Sequence, residues 1–153
     1  MNDPIEPGAG AAEAGAADAP RRVLLADNDV HVAAVLEAFL RRAGLEVEVV
    51  GDGGTARDRL RSADYDLLVC DLDMPVLSGD ALLAEIGADP RAPPVVVVSG
   101  YVDEGTVERL AAQPAVRAVL RKPFDLRAFA RQAAEIARGG PGLPPVGPSA
   151  SLF

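Results

Sequence analysis

Five short apolar runs punctuate the chain, at Val23 to Ala26, Leu45 to Val50, Leu67 to Cys70, Val95 to Val98 and Val116 to Leu120, with helical patterns alternating between and after them. Strand and helix alternating in this way predict an α/β fold, a parallel sheet covered by helices on both faces. Strands covered on both faces read as continuously apolar, whereas edge strands alternate. The second run sets Leu45, Val47 and Val49 against Glu46 and Glu48, and the fifth admits Arg117, so these two are expected at the edges. After the first run, Val32, Val35, Leu36, Phe39 and Leu40 recur at i, i+3, i+4, i+7 and i+8, the spacing of one apolar stripe facing the core. Asp29 is placed to cap that helix, Arg41 and Arg42 to meet its negative end, and Gly44 to supply a left-handed stop. In the last helix Asp125 is the expected cap, with Phe129, Ala133, Ile136 and Ala137 facing inward.

The pattern stops short of both ends. Residues 1–20 are mainly Ala, Gly, Pro and acids, and residues 139–153 are rich in Gly and Pro and carry no charge, so both are expected to be disordered tails around a single domain at 21–138. No run of about 18 apolar residues occurs and the N-terminus lacks a secretory pattern, which points to a soluble, cytoplasmic protein with no membrane role. Cys70, the one cysteine, sits in an apolar run and reads as a buried core thiol. The formal net charge is −8, and Asp3, Glu6, Glu13 and Asp18 put half of it in the leader. No basic stripe is read from the remainder; Arg57 and Arg61, with Asp58 between them, read as a solvated face, and nucleic-acid binding is not expected.

Residues just beyond the carboxyl ends of parallel strands gather on one rim, beside the crevice where ligands bind. Here that rim collects Asp27 and Asn28 from the first strand, Asp71 and Asp73 from the third, Ser99 from the fourth and Lys122 from the fifth. Crowded carboxylates repel one another unless a cation neutralises them, and hard oxygen donors with few protein contacts suit Mg²⁺. Such a cation also makes Asp71 usable as a nucleophile towards phosphorus, because it offsets the charge on the incoming phosphoryl oxygens. Lys122 would act likewise from the other side. It is the only lysine among the 15 basic residues, so the chain places a compact point charge here and nowhere else.

From about Arg22 to Arg138 the sequence resembles the response-regulator receiver family. The residues that carry the resemblance are Val23-Leu24-Leu25-Ala26-Asp27, Asp71-Leu72-Asp73-Met74-Pro75 with Gly79, Val95 to Val98 with Ser99-Gly100, and Lys122-Pro123-Phe124. It implies a flavodoxin-like doubly wound sheet of five parallel strands in the order 2-1-3-4-5, with five helices, which agrees with the edge assignment. It also implies that Asp71 is the phosphoacceptor and that Asp27, Asp71 and the backbone carbonyl of Asp73 hold Mg²⁺. Asn28 stands where the family usually has a second acid; its amide oxygen can still ligate the metal. Ser99 would hydrogen-bond the phosphoryl group, Lys122 would pair with it, and the Lys122-Pro123 peptide would be cis. The implied donor is a histidine kinase or a histidine phosphotransfer protein. A separate downstream protein effector is the implied readout, since no output domain follows Arg138. The chain would then be no enzyme in the ordinary sense, though it supports its own phosphotransfer and dephosphorylation.

A second departure is Val119, three residues before Lys122, where many members carry an aromatic that swings inward on phosphorylation. Tyr101 either replaces it or simply packs. Two other functions compete. One is a docking module that is never phosphorylated, which Asn28 and Val119 keep open. The other is a phosphatase of the haloacid-dehalogenase type, whose Asp-x-Asp motif resembles Asp71-Leu72-Asp73 but follows the first strand, with Thr or Val where Pro75 stands here. His31 reads as a phosphohistidine or, more simply, a surface helix residue. Ser151-Leu152-Phe153 reads as a short docking peptide or an unstructured end.

Overall fold

A computed structural model describes residues 19–87, 89–100 and 103–140. Tyr101, the closing Ser151-Leu152-Phe153 and most of both expected tails lie outside the described residues. The elements run β1 (Arg22–Ala26), α1 (Val30–Arg42), β2 (Glu46–Val50), α2 (Gly53–Ser62), β3 (Leu67–Asp71), α3 (Gly79–Ile86), β4 (Val95–Ser99), α4 (Glu104–Ala111), β5 (Val116–Arg121) and α5 (Leu126–Ala137). All strand pairings are parallel and the order is β2-β1-β3-β4-β5, as expected. No helix among the described residues is long and apolar enough to cross a membrane.

Alternate residues of the inner strands feed two cores. Leu25, Val69 and Val98 pack beneath α1 and α5 with Leu36, Leu40 and Phe129, while Leu24, Leu68 and Val97 pack on α2, α3 and α4 with Ala56, Leu82 and Leu110. Cys70 is fully buried. Asp29, Asp52, Ser78, Asp103 and Asp125 each accept a backbone N–H at the start of a helix, so every described helix has a polar cap. Gly44, at φ 91°, provides the expected stop after α1. Gly139, at φ 90°, closes α5 together with Gly140, through bonds from Gly139 N–H to the Ile136 carbonyl and from Gly140 N–H to that of Glu135. These two glycines therefore belong to the last helix stop.

Three expectations are corrected. Val35 is 45% exposed. It stands about 100° round the helix from Leu36, and Ala33 takes the inward place instead. Val49, expected to face inward with Leu45 and Val47, is 39% exposed at the free side of β2, and Val50 is buried on the opposite face beside Ala56. Arg57 and Arg61 do not simply point to water: they reach Glu85 of α3 at 3.7 and 3.3 Å, joining two neighbouring helices.

The loop from β3 to α3 is held from below by α2. A Cβ on Gly53 would lie 1.7 Å from the Leu77 carbonyl oxygen, and one on Gly54 2.8 Å from Val76 Cγ1. Pro75 and Leu77 close a tight turn, with Leu77 N–H donating to the Pro75 carbonyl at 2.7 Å around Val76 at φ 70°. A β-branched residue in that region is strained, so the turn persists because its surroundings hold it. Gly53→Ala is expected to destabilise the fold by roughly 2 kcal/mol or more in urea unfolding, since the methyl meets backbone. Gly51→Ala, where nothing lies within 4 Å of the added Cβ, should be close to neutral.

Candidate phosphoacceptor site

Strand register assembles the site. Ala26 pairs with Cys70, Asp71 with Val98 and Ser99 with Arg121, so Asp27, Asp71, Ser99 and Lys122 all arrive at the same level of the sheet. Lys122 N–H donates to the Ser99 carbonyl at 2.8 Å, which extends the β4–β5 ladder one step and fixes where the lysine stem begins. The peptide between Lys122 and Pro123 is cis, as the resemblance implied.

The lysine ammonium donates to Asp27 Oδ2 at 3.1 Å and to Asp71 Oδ2 at 3.2 Å. The other carboxylate oxygens are tied to backbone: Asp29 N–H donates to Asp27 Oδ1 at 2.9 Å, and Asp73 N–H to Asp71 Oδ1 at 3.0 Å. Both acids are buried, at 2% and 5% exposure, and Ser99 is buried beside them at 3%. Asn28 and Asp73 have exposed side chains. The structure thus brings Asp27, Asp71 and Lys122 into one cluster and sets Asn28 and Asp73 at its mouth. Gly79 presses on the acceptor strand, since a Cβ there would lie 2.5 Å from the Asp71 carbonyl oxygen. His31 is an exposed residue in the first turn of α1, and Val119 is buried among the side chains beneath α3 and α4.

One ammonium shared by two carboxylates leaves one negative charge without a partner. Burial raises the Asp71 pKa, and the charge of Asp27 adds to that; the Asp73 N–H and Lys122 oppose it, but the net direction is upward. For Lys122, burial works against the charged form, yet the hydrogen bond to Asp27 and the charges of Asp71 and Asp27 outweigh it, and its pKa rises. The cluster is therefore short of positive charge. Burial and the neighbouring acids also push the Cys70 thiol pKa upward, which leaves it unreactive next to the acceptor.

The Response regulator receiver domain family model matches residues 23–134. The chain belongs to this family. Among curated relatives of the receiver, the transcriptional regulatory protein PdtaR of Mycobacterium tuberculosis is 34% identical over 110 residues, which is 70% of this chain and 52% of that protein. The chain spans about half the length or less of the curated relatives it matches. Among solved structures, the receiver domain of the Francisella response regulator 1452 aligns with a TM-score of 0.71 at 26% identity, covering 78% of this chain and 98% of that one. The response regulator protein TrrA from Thermotoga maritima, in complex with Mg²⁺ and BeF, aligns with a TM-score of 0.67 at 22% identity over 76% of this chain and 98% of that one.

The raised pKa of Asp71 has a consequence for the metal-free receiver. Its native form holds the proton more tightly than the unfolded chain does, so ionised Asp71 costs stability above its native pKa. That cost vanishes as pH falls below the ordinary value of 3.8. In EDTA at pH 7, Asp71→Asn should have a higher urea midpoint than the parent, and the gap should narrow as pH drops through the Asp71 titration.

Proposed function

We propose that this receiver takes a phosphoryl group on Asp71 from a phosphohistidine of a histidine kinase or histidine phosphotransfer protein, acts in the cytoplasm, and signals by contact with a separate downstream protein. The observation that carries the reading is the pair of buried carboxylates sharing Lys122, at 3.1 and 3.2 Å, at the strand ends. In the transfer, an Asp71 carboxylate oxygen attacks phosphorus in line with the bond to the donor imidazole nitrogen. That P–N bond breaks and an acyl phosphate forms.

A divalent cation fits the donor set, because two buried carboxylates face one ammonium and carry an excess negative charge. Asp27 and Asp71 would hold it, and no third His, Cys, Asp or Glu joins them in a metal-sized group among the described residues. The remaining ligands would be the Asp73 carbonyl, the Asn28 amide and water, a set that suits Mg²⁺. When bound, it would offset charge on the phosphoryl oxygens. Lys122 would pair with the transferred group and Ser99 would hydrogen-bond it, leaving the acyl phosphate open to later hydrolysis in the same chamber.

Acetyl phosphate with Mg²⁺ is expected to add one phosphoryl group per chain, read by intact-mass measurement, and Asp71→Asn to abolish it. Persistent absence of the adduct would favour a docking module that is never phosphorylated. Calorimetric titration of Mg²⁺ should give a several-fold tighter Kd for Asn28→Asp, because that change restores a charge at the mouth of the site. An unchanged affinity would exclude Asn28 from the ligand set.

A further inference from the structure

The arginines divide into two groups by their partners. Eight of the fourteen, between Arg21 and Arg109, have a carboxylate oxygen within 4.0 Å, and Arg42 lies over the Phe39 ring. The other five are Arg117, Arg121, Arg127, Arg131 and Arg138. Every one lies on β5 or α5 or at the end of α5, and none has an acid within that distance among the described residues. Arg121 feels the charge of Asp103 from farther away, and Arg138 donates to the Ala43 carbonyl at 3.4 Å.

Charge follows the same division. From Val116 to Arg138 six basic residues face only Asp125 and Glu135, a net +4 on a chain of formal charge −8. Helix geometry concentrates it. Successive residues turn about 100°, so Arg127, Arg131 and Arg138 fall within about 40° of one another and span roughly 16 Å. All three are exposed, on the side away from Phe129, Ala133 and Ile136. Beside them β5 pairs only with β4 and presents Arg117, whose buried Nε has no hydrogen-bond partner among the described residues.

We infer that the β5–α5 surface docks an acidic segment of a partner protein, whose carboxylates are taken by Arg127 and Arg131. That this partner is the downstream effector rests on the receiver reading above; the surface itself does not. Arginine suits the task because its planar fork takes a carboxylate through two bonds, and the chain's single lysine is committed elsewhere. Nucleic acid fits worse. Its charge continues at about one per 1.7 Å well beyond a stripe of roughly 16 Å, over a molecule whose other residues are strongly acidic.

The test is fluorescence anisotropy of the full chain with a fluorescein-labelled peptide of Glu-Glu-Leu-Ala repeats. Saturable binding is expected, roughly five- to tenfold weaker for the Arg127→Gln/Arg131→Gln double variant. It should be unchanged for Arg61→Gln/Arg91→Gln, whose arginines already face Glu85 and Asp89. Lack of saturable binding overturns the inference. So does equal weakening by both double variants with native circular dichroism, or tighter binding of a DNA duplex of about 20 base pairs. Repeating the titration after acetyl phosphate treatment separates the two readings. Failure to label Asp71 removes the receiver mechanism and leaves peptide binding standing, whereas labelled protein without peptide binding removes only the docking surface.

Discussion

Two carboxylates buried side by side are the constraint on which this fold turns. Asp27 and Asp71 leave water at the tips of adjacent strands, and one ammonium, from Lys122 two strands away from Asp71, is all that the chain supplies against them. Burying charge is costly unless it is paired and hydrogen-bonded. The structure answers with a backbone N–H on each carboxylate and the shared lysine, and still leaves the cluster negative. That residual deficit is what a divalent cation and a phosphoryl group would meet together: the cation supplies positive charge, and the phosphoryl group converts one carboxylate to an acyl phosphate.

The surrounding fold holds this arrangement in place. Parallel register sets the three side chains at one height, Gly79 and Gly53 let α3 and the loop before it close against neighbouring backbone, and the left-handed Val76 is confined by α2. Strain and unbalanced charge thus lie close together, at the end of the sheet where function is proposed. Stability is supplied elsewhere, by the two apolar layers under α1 and α5 and under α2, α3 and α4.

Much of this was legible from residue order. Continuous apolar runs marked the inner strands, the acidic alternation of Leu45 to Val50 marked an edge, and strand ends named Asp27, Asp71, Ser99 and Lys122 before any coordinates. Val35 and Val49 were misread because periodicity reports which residues are apolar and not how far a helix or a neighbouring strand extends to cover them. Arg57 and Arg61 were misread for a related reason, since their partner Glu85 lies on another helix. The clasp of Gly53 on Leu77 was invisible in sequence, where two adjacent glycines look like a loose turn. The excess of arginine after Val116 was visible in the sequence, but it became informative only once the arginines elsewhere were seen to have partners.

The central claim is that Asp27, Asp71 and Lys122 enclose the place where phosphorus is bound. A crystal structure of the chain grown with Mg²⁺ and beryllofluoride tests it most directly. The account predicts tetrahedral density on an Asp71 carboxylate oxygen, with the Lys122 ammonium and the Ser99 hydroxyl in hydrogen-bonding contact and the cation against Asp27. Density on another residue, or Lys122 turned away from an occupied Asp71, would contradict it.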